Sequence, residues 1–578
     1  MASSDVSSVS SESGVSGIST RSSSKFDDAE AGVRPLQAAA SHGSQLSLDT
    51  QASLEHQFEH NFDLDDAVRM SSYRPHSSVL ANGPPGDSRA VEDLPKINKV
   101  FTDATTGELS LPPDGGYGWV CCLCVTLVMF STWGSNCAFG VFLAYYLNNN
   151  VFAGASKYDY ALIAGITVCL GQGLPPFVII CMQIFGFKAP MLLGTVFLLL
   201  GFILASFSTK LWQLYLTQGV LVGMGMSFVY APATTVLPGW FLRKRSFALG
   251  ISLIGTGAGG VTYSLAVGQL IQETKDQRWA LRMLGIACTL TCLVAIAVIR
   301  QRVKLEPIGL KDPSLVKEKF INMFSPRIPR MMAVNLIAAW FLFALFGYNL
   351  MIFTISPYAI AKGLTTHQSS SLSAILNGAQ SVGRPLMGLM GDKVGRTNTA
   401  TLLTLLNMIL LFGFWFPAHT YVQLIVFSIC LGLCMGVANV MSTVLVADLV
   451  DASDFLPSWA YINSVGSPLL LLPEVIAQLL TDESHPSNPY VHTQIFAGMC
   501  FVGALLLVLA LREYAVKKAI NERLSRKSQQ IKKLELSAPE VEELEEGKDL
   551  LRQESKYRNL LGGGPCKYVV RVLYPMNV

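Results

Sequence analysis

The sequence is poor in charge. Asp, Glu, Lys and Arg make up 14% of its 578 residues, where a soluble domain has about a quarter. With 51% of residues apolar and a mean hydropathy of +0.41, this shortage excludes an ordinary soluble protein. The formal net charge is only +3, so there is no basic field to hold nucleic acid. Histidine is scarce, with eight residues. His367, His419, His485 and His492 fall in loops or at the ends of apolar runs without ligand spacing. Of the twelve cysteines, all but Cys566 lie in apolar runs or at their edges, and none makes a spaced pair in a loop. That pattern argues against a disulfide framework and a zinc site; the cysteines read as small packing residues. There is no Ser/His/Asp set and no Walker loop, so an enzyme would lack its machinery, and neither cofactor nor metal is expected.

Long apolar runs are plentiful. Residues 1–112 (MASSDVSSVSSESG…) are Ser-rich and polar, without sustained apolar periodicity. Such a segment cannot bury enough apolar surface to offset its ordering entropy and is expected to be a disordered tail. It also lacks the apolar core of a secretory signal. From 117 to about 511 the runs are long enough to cross a hydrocarbon layer roughly 30 Å thick. Spans are expected near 117–146, 160–183, 189–208, 211–236, 246–272 and 280–300. Six more are expected near 331–358, 368–390, 397–417, 420–446, 458–480 and 493–511. The intervening stretch, RQRVKLEPIGLKDPSLVKEKFINMFSPRIPR, is basic. The implied layout is a six-helix half at 113–300, a linker at 301–330, a second half at 331–511 and a charged tail at 512–578. This is an all-α integral membrane architecture of twelve spans in two six-helix bundles, the parallel-repeat design of some transporters.

With an even span count, both tails share one side. The loops on that side carry Lys188, Arg243, Lys244, Arg245, Lys393, Arg396 and the basic linker; the opposite loops carry few basic residues, such as Lys157, Lys275, Arg278 and Lys362. The positive-inside rule puts both tails in the cytosol.

Three motifs need closer reading. Gly255, Gly257 and Gly260 in GTGAGG match a dinucleotide fingerprint, but that fingerprint needs a preceding strand and an opening helix. Here it lies inside an apolar run with Gly250 and Gly268, so helix packing is the expected role. PPDGGYGWV opens the first span: Asp114 reads as an N-cap, and Tyr117 and Trp119 as interfacial aromatics. The order Asp114, Gly115, Gly116, Tyr117, Gly118, Trp119 resembles the signature opening the first helix of the monocarboxylate transporter family of the major facilitator superfamily. GWFLRKRSFALGISLIGTGAGG (239–260) is similar to that family's second signature. GRPLMGLMGDKVGR (383–396) carries the superfamily's inter-helix motif at Gly388, Asp392, Gly395 and Arg396; the equivalent first-half stretch, CMQIFGFKAP, lacks the acid. The Ser-rich tail resembles the fungal branch.

The resemblance implies a mid-membrane site between two rocking bundles. Asp392 and Arg396, with Gly388, Arg243 and Arg245, would form a gate at the cytosolic side, and Asp448, Asp451 and Asp454 would lie near the basic loops. Arg384 falls within the eighth apolar run beside Pro385. A charge there is costly and functional by default, and a guanidinium matches a carboxylate bidentately. The family's arginine at this place faces the substrate carboxylate. Two departures stand out. The family's lactate carriers have an acid one turn earlier, where this chain has Gln380, and a lysine deep in the first helix, where it has Asn136 or Cys137. Asn136 with Trp133 and Phe139 would suit a larger, partly aromatic solute. Asn377, Asn439 and Asn463 are further cavity candidates, and Glu474 after Pro473 is a candidate proton relay. Two readings stand: a carrier of a monocarboxylate-like anion, or a facilitator of riboflavin or another neutral aromatic solute. A nutrient sensor with the same fold is a third. The partners implied are a small solute and a lipid bilayer. The plasma membrane is favoured over the vacuolar membrane on family habit.

Overall fold

The computed structural model describes residues 112–152, 154–302, 307–309, 312–481, 488–537, 545–562 and 564–574. The Ser-rich segment up to residue 111, and with it the expectation of a disordered tail, lies outside them. Among the described residues the secondary structure is helical, without strands.

The first half holds α1 (Tyr117–Tyr146), α2 (Lys157–Gly173 and Pro175–Phe185), α3 (Lys188–Phe207), α4 (Leu211–Trp240), α5 (Arg245–Thr274) and α6 (Gln277–Val298). A short linker helix, Pro313–Met323, follows. The second half holds α7 (Met332–Ala361), α8 (Thr366–Val394), α9 (Arg396–Trp415), α10 (Tyr421–Leu449), α11 (Ala452–Leu479) and α12 (Val491–Ser537). Ten of these are long and apolar enough to cross a membrane, and α2 joins them if its bent pair counts as one span. Its two pieces meet at 46° where Pro175 interrupts the ladder, because proline lacks the N–H and clashes with the preceding turn. Helix α8 is 29 residues long but too polar to pass on composition, since Gln380, Arg384 and Asp392 face protein rather than lipid.

Helix starts follow local chemistry. Capping boxes at Ser156/Asp159, Thr365/Gln368 and Thr420/Gln423 open α2, α8 and α10, each satisfying orphan N–H groups. Patterning is inverted as a bilayer requires. On α3, Leu192, Leu193, Val196, Leu200 and Leu204 are exposed, while Met191, Gly194, Leu198, Gly201 and Phe202 face the bundle.

The glycines of α5 serve packing. A Cβ at Gly255 or Gly259 would clash with α1 at Thr126 or Phe130; one at Gly250 or Gly257 would clash with α8 at Arg384 or Ser381. Helix α5 therefore approaches both halves along two glycine faces, as small residues permit.

Helix α12 does not stop near 511 but runs to Ser537 as one element. Two further helices, α13 (Glu545–Leu561) and α14 (Pro565–Leu573), pack back on it. Val516, Ala519 and Ile520 of α12 form a small core with Tyr557, Leu560, Leu561 and Tyr574.

Candidate functional site: a central arginine above a carboxylate gate

Arg384 lies in mid-α8, 2% exposed. Its Nη1 donates to the Leu253 carbonyl at 2.8 Å and its Nη2 to Gln380 Oε1 at 2.9 Å. The Tyr348 hydroxyl, from α7, stands 3.5 Å from Nη2 and donates to Gln380 Oε1 at 3.1 Å. The Leu253 carbonyl, which also accepts from Thr256 N at 3.2 Å, lies where α5 is broken, with Arg245–Ser252 ending before Ile254–Thr274 begins. Among the described residues no carboxylate pairs with Arg384, and its Nε and Gln380 Nε2 are buried without partners. A buried cation held by neutral acceptors alone is an unneutralised charge, and a buried charge is normally paired.

Helix α1 faces this group. Cys137 is exposed although it lies in mid-span, facing Gly260 of α5. It is within electrostatic reach of Arg384 and Tyr348. One turn earlier, Trp133 packs edge-on against Tyr230 of α4 at 5.7 Å. Tyr230 in turn lies 6.1 Å from Trp459 of α11. The Tyr230 hydroxyl donates to Gln172 Oε1 at 2.9 Å and stands 3.5 Å from Asn463 Oδ1. Asn136 and Phe139 are half-buried, and the Asn136 side chain makes no hydrogen bond among the described residues. Asn377 is half-buried and bonds back to Ser373 in its own helix at 3.0 Å. Arg384 and Gln380 are thus in direct contact, Trp133 joins an aromatic set, and Asn377 is occupied locally. Glu474 belongs to Pro473–Leu479, but its side chain lies outside the described residues.

At the end of the bundle carrying the basic loops, hereafter the basic end, the two halves are locked. Asp392 Oδ1 accepts from Ser246 N at 3.1 Å, and Oδ2 accepts from Phe247 N at 2.9 Å. These are first-turn N–H groups of α5, whose own N-cap Lys244 offers no side-chain bond. Asp392 therefore caps α5 from the other half, where a negative charge is favoured. Gly388 allows this, because a Cβ there would clash with the Ser246 and Phe247 backbone. Arg396 contacts Asp392 at 3.3 Å and Asp448 at 2.5 Å, and donates to the Leu242 carbonyl at 2.8 Å. Arg245 reaches Asp448 at 3.0 Å. Two arginines and two aspartates balance, and Arg245–Asp448 crosses the halves. Asp454 pairs with Arg327 of the linker at 3.2 Å.

The PPDGGYGWV stretch corrects two sequence expectations. Asp114 is not the N-cap of α1; Gly116 is, without a side-chain bond. Instead Asp114 Oδ1 accepts from the N–H groups of Leu242, Arg243 and Lys244 at 2.7, 2.9 and 3.2 Å. Arg243 thus joins this basic-end contact through its backbone. Trp119 faces protein rather than a lipid interface, packing on Phe241 at 4.8 Å and Phe247 at 6.0 Å. Tyr117 donates to the Val298 carbonyl at 2.6 Å and lies beside Trp240. Gly118 leaves room for Trp240 and Phe241, and Gly115 precedes the Gly116 turn at positive φ (58°). The first two signature stretches are therefore one contact.

From the basic end outward, α5 and α8 touch at Gly388/Ser246, Gly250/Arg384 and Gly257/Ser381. Farther along the same line of α8, a Cβ at Gly378 would meet open space, as would one at Gly140 of α1. Away from the basic end the α5–α8 pair thus loosens, while α2 and α11 stay packed past mid-depth, where a Cβ at Gly165 would clash with the Leu471 backbone and one at Gly173 with Ser467 Oγ.

Tyr348, Tyr230, Trp459 and Gln172 escaped the sequence reading. Their signal was a polar aromatic or amide in mid-span, which needs a partner when buried.

A family model described as Major Facilitator Superfamily matches residues 121–473. "Uncharacterized transporter ESBP6" of Saccharomyces cerevisiae is 51% identical over 525 residues, covering 90% of this chain and 78% of that protein. "Probable transporter MCH2" of the same organism is 31% identical over 431 residues, covering 73% and 89%. The structure of the proton:xylose symporter XylE bound to 6-bromo-6-deoxy-D-glucose matches with a TM-score of 0.52 at 13% identity, covering 68% of this chain and 94% of that one. That last likeness concerns the fold alone.

Proposed function

The chain belongs to the Major Facilitator Superfamily, and from that premise we propose that it carries a small organic anion whose carboxylate is received by Arg384. It is a multi-pass membrane transporter of small solutes. The observation that carries the anion reading is the buried Arg384 guanidinium, held only by Leu253 O, Gln380 and Tyr348. A carboxylate arriving there would supply the missing counter-charge in bidentate geometry. The three signature stretches support membership of the monocarboxylate-transporter branch. The Trp133–Tyr230–Trp459 set favours a substrate with a planar or apolar body, and equally supports the second reading, a flavin-like solute.

Alternating access would need the lock at the basic end to release. Opening the basic end would strip Asp392 from the α5 N-terminus and part Arg245 from Asp448. We place that end in the cytosol on the positive-inside rule and the protein in the plasma membrane, with the vacuolar membrane as the alternative. Reporter tags in 312–325 and after residue 530 should then both read cytosolic. Gln380 and Cys137 replace two ionisable groups of the lactate carriers, so coupling to protons is weak unless Glu474 provides it. Uptake with and without a pH gradient, in wild type and Glu474→Gln, decides this. Strong gradient dependence surviving the substitution refutes that account.

The test of the substrate class is uptake into vesicles against a panel of monocarboxylates, flavins and neutral solutes. Carboxylate uptake lost in Arg384→Lys supports the proposal. Carriage of a neutral solute, unaffected by Arg384→Lys, overturns it in favour of the second reading.

A further inference from the structure

Helix α14 hangs on an ion pair at the point where the last span leaves its apolar stretch. That stretch of α12 ends at Leu511, and Arg512 and Glu513 follow. Met499 is 55% and Leu506 64% exposed. They lie seven residues apart, and Glu513 is seven further. On a helix of 3.6 residues per turn these three stay within roughly 40° of one line. In a membrane protein, exposed apolar residues on the outermost face of a span are its lipid contacts. Glu513 therefore stands directly below the lipid-facing line of α12, two turns or about 10 Å beyond Leu506.

Arg571 of α14 is 6% exposed and pairs with Glu513 at 2.6 Å. It also donates to the Leu560 and Gly562 carbonyls at 2.9 and 3.1 Å. Arg512 Nη2 donates to the Tyr574 carbonyl at 3.1 Å. Both ends of the contact thus fix α14 at the height where α12 exits the apolar layer. Opposite Arg571, the helix presents Val569, Val570 and Leu573, which are 53%, 48% and 74% exposed. At about 100° per residue these three fall within one 100° arc whose centre lies roughly 150° from Arg571. The docked side is charged and satisfied, and the free side is apolar.

We propose that α14 is an in-plane membrane anchor, its Val569–Val570–Leu573 face resting in the interfacial zone of the leaflet at the basic end. Three observations select lipid as the occupant: the attachment to the lipid-facing line of α12, the exit-level height, and the apolar arc turned away from the protein. A short amphipathic helix with such an arc suits the headgroup–acyl boundary. The anchor would hold the α12 extension against the leaflet. Lys518 of that extension donates to the Leu449 carbonyl at the end of α10 at 3.0 Å, one residue from the gate's Asp448.

The test uses the full chain in phosphatidylcholine vesicles with and without phosphatidylserine. A photoreactive benzoylphenylalanine replaces Leu573, Val569 or, as an exposed control on α13, Lys556. Phospholipid adducts on the C-terminal peptide at 573 and 569, and none at 556, are the expected result. Adducts to another segment of this chain, to a second copy, or no adduct at 573 and 569 each overturn the proposal. A second measurement does not depend on the probe. Backbone amides of 566–573 should exchange roughly tenfold faster in the Val569→Asp/Leu573→Asp double variant than in wild type in the same vesicles. Unchanged exchange would mean that lipid does not cover this face.

Discussion

Two buried arginines in the second half make the instructive comparison. Arg396 is 6% exposed and Arg384 2%, so desolvation bears on both. Arg396 sits between Asp392 and Asp448 and bridges to the Leu242 carbonyl, so its charge is answered within the protein. Arg384 is offered a carbonyl, an amide oxygen and a phenol, none of them charged. A buried ion pair that is complete favours the arrangement that completes it. An incomplete one favours whatever completes it. The first suits a latch between two halves that must be released to open; the second suits a seat for a ligand. Twelve residues apart in sequence, the two guanidiniums are sorted by their acids and not by their depth.

Substitutions can break this comparison in order of expected size. Arg384→Lys keeps the charge but loses the planar fork. Carboxylate uptake per molecule should fall roughly 10- to 100-fold, since a charge-assisted bond is worth about 1.5–3 kcal/mol; a drop in abundance alone would instead mark Arg384 as structural. Asp448→Asn leaves Asp392 to Arg396 and takes from Arg245 its paired carboxylate. The balance between end-closed and end-open forms should move by about 1–3 kcal/mol, because one partner of a buried network is removed while Asp448 itself keeps some solvent. The readout is the rate of thiol labelling of Cys137, which should change as that balance moves. Unaltered labelling with reduced abundance would separate stability from gating.

Gln380→Glu sharpens the comparison from the other side by giving Arg384 the acid it lacks. Anion uptake at neutral pH should drop by about tenfold, the effect of roughly 1.4 kcal/mol. It should recover as pH falls. A pH-independent loss would count against charge competition. Asp114→Asn weakens three backbone bonds to one oxygen and should lower thermal stability by about 1–2 kcal/mol without changing which solutes are carried. Tyr117→Phe removes only the bond to Val298 O. Its effect should stay near 1 kcal/mol or less, read as a small shift in melting temperature.

Much of the site was visible as residue types in unusual company. An arginine beside proline in an apolar run, and an aspartate and arginine four residues apart in a glycine-rich stretch, both stand where helices of the two halves meet. The partners were less visible. Asp448 looked like one of three acids at a span end, yet it contacts both Arg245 and Arg396, while Asp454 meets the linker. Tyr348 and Tyr230 looked like ordinary aromatics of apolar helices. Asp114 was read as a local cap because caps are local by habit. Its oxygen is used 128 residues away, which no local rule anticipates.

The sequence alone determined the spans, because in hydrocarbon each backbone group must be satisfied within its own segment, so a run of apolar residues commits itself to a helix before any neighbour arrives. It also determined which residues bear charge at mid-depth, and so which had to find company. Only the tertiary structure decided what that company was. Lateral packing is set by glycine faces and side-chain shape between helices distant in the chain. That packing put Asp392 on the N-terminus of α5 and Asp448 between two arginines, and it left Arg384 with no acid among the described residues.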